Sequence, residues 1–263
     1  MRQYDRVSRR LVYLTGEASP ENWDERWSKF EYSKLFVPGR NSWLVNETKK
    51  FLSEGSRILE GGCGCGDKVF SLDQAGYKAF GFDTAVKALH RAKEECPELN
   101  FIASDIRDFP VADGTMDGYW SLGVFEHFEG GMEAQWAEAA RVLRDRGFLF
   151  LTMPSLSPIR QLKAKLGRYP SLQSIPPGSF YQYAYSTDEV IRVASRHGFV
   201  LRSKRFFDGV KGLKDEVQIL KEPLQRLYDS KAFVARLARR LADIALRSSC
   251  GHMAYFVFEK KHG

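Results

Sequence analysis

The sequence predicts an α/β protein with a mostly parallel sheet and helices on both faces. Five short apolar runs lie between residues 57 and 152, segments of helical period separate most of them, and two more apolar runs follow at 199–207 and 252–260. Short apolar strands that alternate with helices indicate βαβ units whose sheet is buried on both faces. Right-handed crossovers then place helices on both sides of that sheet.

The first five runs are short, as strands of a buried sheet are. They are Arg57–Glu60, Lys78–Asp83, Asn100–Asp105, Met116–Ser121 and Gly147–Thr152. Helical period is clear in 85–94 and 132–143. These elements together predict a core at residues 55–153.

The segments outside this core differ from it in composition and in expected secondary structure. Residues 1–50 are aromatic and read as helical, which predicts an N-terminal helical segment. Residues 154–185 are rich in proline and tyrosine, and a long excursion of this kind in a compact domain is often functional. Ser186 and Glu189 form a capping-box pattern for a helix that ends near Gly198. A basic helical insert is expected at 208–250, and the whole chain, 1–263, is expected to be one domain.

Composition narrows the class of protein. The 263 residues carry 40 Lys+Arg and 33 Asp+Glu, a formal charge of +7. Residues 1–150 hold 20 basic and 24 acidic side chains, and residues 151–263 hold 20 and 9, so the positive charge belongs to the C-terminal part. No apolar run approaches the roughly 20 residues of a membrane-spanning helix. The N-terminus has no signal-peptide pattern. Four cysteines without CxxC spacing indicate reduced thiols and no metal site. We therefore expect a cytoplasmic protein.

A glycine-rich loop follows the first predicted strand. The segment from Glu60 to Gly66 reads Glu-Gly-Gly-Cys-Gly-Cys-Gly, the pattern ExGxGxG. It lacks the lysine and hydroxyl spacing of a P-loop, and its third glycine comes one residue too early for the dinucleotide fingerprint. Glycine permits positive φ and close approach of a ligand to the backbone, and open α/β sheets bind ligands at the carboxyl ends of their strands.

This loop resembles motif I of the class I S-adenosylmethionine-dependent methyltransferases, of the small-molecule type. Three later strand ends resemble the family in order: Asp83, about twenty residues on, then Asp105 with Ile106, then the run from Asp117 to Phe128. The resemblance covers roughly 55–153 and returns at 186–207 and 252–260. It implies that 55–153 is a cofactor-binding core, that the helical segment 1–50 is a lid, and that 154–185 is a substrate-recognition insert. It implies a Rossmann-like fold with a seven-stranded, mostly parallel sheet whose last strand is antiparallel.

The resemblance also implies a cofactor and its contacts. In the family an acid after the second strand binds the ribose hydroxyls, which here is Asp83, and an Asp after the third strand receives the adenine amino group, which here is Asp105. S-adenosyl-L-methionine is the implied cofactor and S-adenosyl-L-homocysteine its product. The implied cofactor-binding residues are Glu60, Gly61, Gly62, Cys63, Gly64, Gly66, Asp83, Thr84, Asp105, Ile106, Ser121, Leu122 and Gly123.

His127 is the candidate general base. It follows the fourth strand, where the resemblance places the transferring methyl, and its ordinary pKa suits proton transfer near neutral pH. The alternative is that it only shapes the pocket or caps the next helix. The other four histidines read as surface or helix-end residues. The run after Trp120 lacks both the pattern of amino-group methylation and the cysteine of cytosine methylation, which favours a small-molecule acceptor and an oxygen as the methylated atom.

The sequence does not decide the acceptor, the oligomeric state or the partner of the basic helix. The acceptor is expected to be aromatic, sugar-like or lipid-linked, and nucleic acid is not favoured, although RNA methylation remains an alternative, as does a non-catalytic protein that only binds the cofactor. The protein is expected to be a monomer or homodimer. Leucines and other apolar residues from Leu220 to Ile244 share one helical face with basic residues beside it. That helix covers the domain or a dimer partner, or residues 223–247 contact an anionic membrane surface.

Overall fold

A computed structural model describes residues 1–262 of the chain. Its strands are β1 (Arg2–Asp5), β2 (Arg10–Tyr13), β3 (Arg57–Gly61), β4 (Lys78–Asp83), β5 (Asn100–Ala103), β6 (Met116–Leu122), β7 (Leu143–Pro154), β8 (Gln182–Ala184), β9 (Phe199–Phe207) and β10 (Met253–Lys260). Its helices are α1 (Pro20–Ser28), α2 (Ser42–Thr48), α3 (Asp67–Asp73), α4 (Val86–Glu95), α5 (Glu133–Val142), α6 (Pro158–Lys165), α7 (Thr187–Arg196), α8 (Gly209–Glu216), α9 (Lys221–Asp229) and α10 (Phe233–Cys250). Single 3-10 turns lie at Tyr32–Lys34, Phe125–His127 and Gln218–Leu220.

The central sheet confirms the predicted fold. Among the described residues it has seven strands in the order β5-β4-β3-β6-β7-β10-β9. Strands β3 to β7 pair in parallel, and β10 lies antiparallel between β7 and β9. The reversal of strand order on either side of β3 is a topological switch point, where ligands bind in open α/β sheets.

Aromatic packing anchors both faces of this sheet. On one face the Trp120 ring stacks on Phe150 with centroids 4.4 Å apart, and its Nε1–H donates to Thr48 Oγ1 at 3.0 Å. On the other face Trp136 of α5 packs edge-on against Phe125, Phe199 and Phe258. These rings are buried and fix the helices relative to the strand ends.

The N-terminal segment differs from the expected run of helices. Residues 1–13 form a β-hairpin, β1–β2, which joins β8 in a separate antiparallel sheet. The helical expectation is therefore wrong for these residues, although α1 and α2 follow it. Arg10 explains the docking, since its guanidinium donates twice to Glu189 of α7 and lies over the rings of Tyr183 and Tyr185.

A buried ionic cluster ties the two inserts together. The Glu216 carboxylate, at the end of α8, accepts from Arg2, Arg160, Lys163 and the Tyr169 hydroxyl. Arg160 and Glu216 both have fully buried side chains. Because these donors come from β1, α6 and the loop after it, one carboxylate joins the N-terminal hairpin, the insert after β7 and the insert after β9.

The basic insert contains α8, α9 and α10, and the chain breaks between α9 and α10, where the sequence pattern runs on without interruption. α9 ends at Asp229 and α10 begins at Phe233. Pro223 lies in the first turn of α9, where a missing N–H costs nothing. No helix within residues 1–262 is long and apolar enough to span a bilayer. His252, expected at the surface or at a helix end, follows the end of α10 and is largely buried. Burial and the charges of Arg160 and Lys211 lower its pKa to about 3.

Candidate active site

The glycine loop between β3 and α3 has the backbone that only glycine accepts easily. Gly62, Gly64 and Gly66 have φ values of 74°, 53° and 78°. A Cβ on Gly62 would lie 2.4 Å from Val124 Cγ2, and one on Gly64 would lie 2.8 Å from the Trp27 ring. The loop is therefore held in a left-handed path with no room for a side chain at either position.

Asp83 links this loop to the end of β4. One carboxylate oxygen accepts from the Gly64 N–H at 2.7 Å, and the other accepts from the Ala85 N–H at 2.8 Å. Burial raises the pKa of Asp83, and these backbone donors oppose the rise. Each oxygen keeps a second lone pair, so the carboxylate can still accept from a ligand hydroxyl.

Asp105 follows β5 and faces the same space. Its two oxygens accept from the Arg107 side chain at 2.9 and 2.6 Å, and this contact lowers the pKa of the carboxyl. The Arg107 guanidinium in turn lies over the Phe128 ring, 4.9 Å from its centroid. Ile106 is buried next to this pair and offers an apolar surface.

The end of β6 supplies the facing wall. Gly123 has φ 72°, and its N–H donates to Thr152 O at 3.0 Å, so the chain turns sharply away from the sheet. Ser121 is fully buried, and its Oγ has no hydrogen-bond partner within the described chain. The turn brings His127, two residues past Phe125, back over the sheet edge.

His127 is oriented by the insert after β7. Its Nδ1 lies 2.7 Å from the Tyr181 carbonyl oxygen, and its ring packs edge-on against Trp23 at 5.0 Å and Tyr181 at 4.8 Å. A carbonyl only accepts, so Nδ1 carries the hydrogen and Nε2 has a free lone pair. Burial lowers the pKa of His127 to about 4, which keeps the ring neutral near pH 7.

A cavity of about 390 Å³ joins these groups at the carboxyl edge of the sheet. Of the residues predicted from sequence, eight line it: Gly62, Asp83, Thr84, Asp105, Ile106, Leu122, Gly123 and His127. The other six lie outside the lining and support it from behind: Glu60, Gly61, Cys63, Gly64, Gly66 and Ser121. The cavity also has walls that sequence reasoning did not assign individually: Glu17, Ala18, Pro20, Trp23, Arg107, Val124, Phe128, Glu129, Gly178 and Phe180.

Some of these walls carry a weak signal in the sequence. Arg107 comes two residues after Asp105, and Phe128 follows His127, so both belong to strand-end motifs. Glu17 and Gly178 come from segments that are distant in the sequence and close only in the fold. The aromatic character of both segments indicates a recognition surface but not which ring meets the cavity.

Two buried carboxyls lie behind the cavity. Glu60 and Glu126 are almost fully buried, and each has one oxygen without a hydrogen-bond partner among residues 1–262. Burial raises the pKa of both to about 8. The Lys68 ammonium opposes this rise at Glu60.

Helix α1 covers the glycine loop. Trp27 lies against Gly64, and Trp23 stacks on Trp27 with centroids 6.1 Å apart and reaches His127. The Asp24 carboxylate accepts from the Ala88 N–H at the start of α4, and Arg91 donates to the carbonyls of Ser28 and Phe30. Helix α1 is therefore seated on α4, directly above the loop.

Comparison with known proteins finds a family match in the part of the chain that holds β3 to β7. Residues 59–151 match the family described as "Methyltransferase domain". An uncharacterized methyltransferase, sll0829, from Synechocystis sp. PCC 6803 is 29% identical over 101 residues, which cover 38% of this chain and about half (48%) of that relative.

Solved structures show the same fold at low identity. An S-adenosylmethionine dependent methyltransferase from Mesorhizobium loti superposes with a TM-score of 0.57 at 14% identity, covering 84% of this chain and 99% of that one. A geranyl diphosphate C-methyltransferase from Streptomyces coelicolor A3(2), solved with Mg²⁺, geranyl diphosphate and S-adenosyl-L-homocysteine, gives 0.55 at 13% identity, covering 94% and 100%.

The fold is Rossmann-like, with the cavity at the switch point of the sheet. Residues 59–151 carry a methyltransferase domain, and the fold is that of solved S-adenosylmethionine dependent methyltransferases. The residues present fit S-adenosylmethionine: Gly62, Asp83 and Asp105 line one cavity, and the unpartnered oxygen of Glu60 lies behind the loop.

Proposed function

We propose that this protein transfers a methyl group from S-adenosyl-L-methionine to the oxygen of a small-molecule or lipid-linked acceptor. The observation that carries the proposal is the Asp83 carboxylate, which fixes the Gly64 amide at 2.7 Å and also lines the 390 Å³ cavity. One buried acid thus shapes the loop and faces the ligand space. Asp105 and His127 line the same cavity from neighbouring strand ends.

Each group has a role that follows from its chemistry. Asp83 offers acceptor oxygens to the two ribose hydroxyls, and Asp105 offers them to the adenine amino group, with Ile106 against the ring. When bound, the cofactor supplies a methyl group already activated on a sulfonium. The chain then has to hold an acceptor oxygen in line with that methyl and exclude water, and such positioning can supply much of the rate.

We propose that His127 takes the acceptor proton at Nε2, because Nδ1 donates to the Tyr181 carbonyl and the low pKa of the ring keeps it neutral near pH 7. A base with a pKa of about 4 is weak, so we propose that its main contribution is orientation of the acceptor hydroxyl, with proton transfer as the methyl–oxygen bond forms. The edge contacts with Trp23 and Tyr181 hold the ring for this task.

The acceptor half of the cavity is aromatic with two acids at its rim. Trp23, Phe128 and Phe180 form apolar walls, and Glu17 and Glu129 add acceptors for hydroxyl or amine groups. These walls support an acceptor with an apolar or sugar-like face. The four cysteine thiols are all free, which supports a reducing compartment, and we propose a cytoplasmic location.

Incubation with methyl-labelled cofactor and small-molecule and lipid extracts tests the proposal. We expect label to appear in an extractable product with the wild type, to fall about tenfold to a hundredfold with Asp83→Ala, and to be unchanged with Asp108→Asn, an exposed acid outside the cavity lining. Cofactor binding without any labelled product would make the protein a binder of the same fold. Label in RNA would contradict the small-molecule acceptor.

A further inference from the structure

Helix α10 turns an apolar stripe toward solvent. Val234, Leu237, Leu241 and Ile244 are spaced three, four and three residues apart and so share one face. All four are exposed, from 46% for Leu237 to 75% for Val234. Phe233 at the start of the helix is exposed as well. These five residues are the α10 stripe.

The stripe does not help to seat the helix on the domain. The close contacts of α10 with α8 are made at Leu246 and Cys250, where the two backbones come together at Gly209 and Gly212. At 3.6 residues per turn these contacts lie roughly opposite the stripe. Helix α7 of the same chain shows the usual arrangement, with Val190, Val193 and Ala194 buried. The stripe is therefore not part of the core.

Basic side chains border the stripe on one side. Arg236, Arg240 and Arg247 are exposed and lie between the stripe and the packed face. The one acid of α10, Asp243, faces α8 and accepts from the Val210 N–H at 2.8 Å. Arg239 is engaged elsewhere, over the Tyr228 ring and on the Tyr228 carbonyl. The outer half of α10 thus combines apolar and positive side chains without a negative one.

The insert begins at the edge of the sheet that carries the cavity. Strands β7 and β9 both pair with β10, which lies between them. Phe207, the last residue of β9, lies opposite Met253, and Met253 also pairs with Pro154 at the end of β7. The end of β6 pairs with β7 at Thr152. Helix α8 starts two residues after Phe207, so the insert leaves the sheet on the side of the methyl-transfer site.

We propose that the α10 stripe and its arginine border bind an anionic phospholipid membrane surface. An exposed helix with an apolar face and basic flank lies in the interface between headgroups and acyl chains, and both halves contribute to binding. The positive border selects this occupant over a second copy of the chain, because two copies meeting at their stripes would bring their arginines together. The proposal is independent of methyl transfer, since it rests on surface residues outside the cavity.

Co-sedimentation of the full-length protein with vesicles tests this surface. We expect binding to phosphatidylcholine vesicles that contain about one third phosphatidylglycerol, and little binding to phosphatidylcholine alone. A basic residue near such a surface contributes about fivefold, so Arg236→Gln/Arg240→Gln/Arg247→Gln should weaken partitioning roughly a hundredfold. Leu241→Gln/Ile244→Gln should weaken it more than tenfold. Because these side chains are exposed, both variants should keep the wild-type unfolding midpoint.

A matched control removes the same charge elsewhere. Arg57→Gln/Lys78→Gln/Lys87→Gln replaces three exposed basic residues away from α10 and should leave binding within about twofold. Equal loss in this control, or equal binding to neutral vesicles, would overturn the proposal. So would a dimer in sedimentation equilibrium that Leu241→Gln/Ile244→Gln dissociates while neither protein binds vesicles, because a second copy would then cover the stripe.

Discussion

His127 Nδ1 is hydrogen-bonded to the Tyr181 carbonyl oxygen at 2.7 Å, and this contact joins the segment after β6 to the insert after β7. The part of the site that we propose to hold the cofactor comes from residues 59–151, which match the methyltransferase domain family, while Tyr181 and Trp23 come from segments outside that match. His127 therefore stands between shared machinery and the segments that we assign to acceptor recognition.

The burial of the His127 ring predicts a pH dependence of stability. Burial lowers the pKa of His127 to about 4 in the folded protein, against about 6.5 unfolded. The unfolded state then binds more protons between these values, so the free energy of unfolding should fall as pH drops from about 6.5 toward 4. Chemical denaturation across this range should show a smaller fall for His127→Gln. Identical slopes in the two proteins would contradict the buried neutral ring.

Glu126 predicts a dependence of opposite sign. Its pKa is raised to about 8, so the folded state keeps a proton that the unfolded state loses above about 4.5. Stability should decrease as pH rises through this window. Glu126→Gln removes the ionisation and should be more stable than wild type at pH 8 to 9, with the difference shrinking below pH 5, measured by urea unfolding. A Gln variant that loses stability at every pH would show that Glu126 is ionised and paired.

The glycine loop predicts a partial rescue. Gly62→Ala places a methyl group 2.4 Å from Val124 Cγ2 and keeps a positive φ of 74°, and we expect it to weaken S-adenosylhomocysteine binding at least tenfold. Adding Val124→Ala relieves the contact but not the backbone strain, so about half of the lost binding free energy should return. Full recovery, or none, would show that only one of the two causes acts.

The ionic cluster predicts a loss of stability outside the active site. Glu216→Ala leaves Arg160 buried without its carboxylate partner, and breaking a buried pair in this way costs about 3–5 kcal/mol. The double change Arg160→Met/Glu216→Leu removes both charges and should recover most of that loss. Denaturant midpoints of the two variants measure the difference. A double variant as unstable as the single one would mean that the remaining donors also need the carboxylate.

The sequence patterns predict the central sheet because short apolar runs and a family resemblance constrain it together. As expected, Gly62, Asp83, Asp105 and Gly123 follow the ends of parallel strands and line one cavity. The hairpin at Arg2–Tyr13 is not predicted, because its strands have four residues each and are held by distant groups such as Glu189. A local pattern carries no sign of such contacts.

The C-terminal insert shows a second limit of sequence patterns. The apolar positions from Leu220 to Ile244 keep helical spacing across the break at 230–232, so periodicity alone indicates one helix. Periodicity also does not show whether the apolar face of a helix points to the core or to solvent, and the apolar stripe of α10 faces solvent. Burial of His252 likewise follows from Arg160 and Lys211, which are far from it in the chain.

The most direct test of the cofactor site is calorimetric titration of the full-length protein with S-adenosylhomocysteine. The account predicts saturable one-to-one binding by the wild type, a loss of about tenfold to a hundredfold with Asp83→Ala, and no change with Asp108→Asn. No heat of binding to the wild type, or equal affinity for wild type and Asp83→Ala, would contradict it.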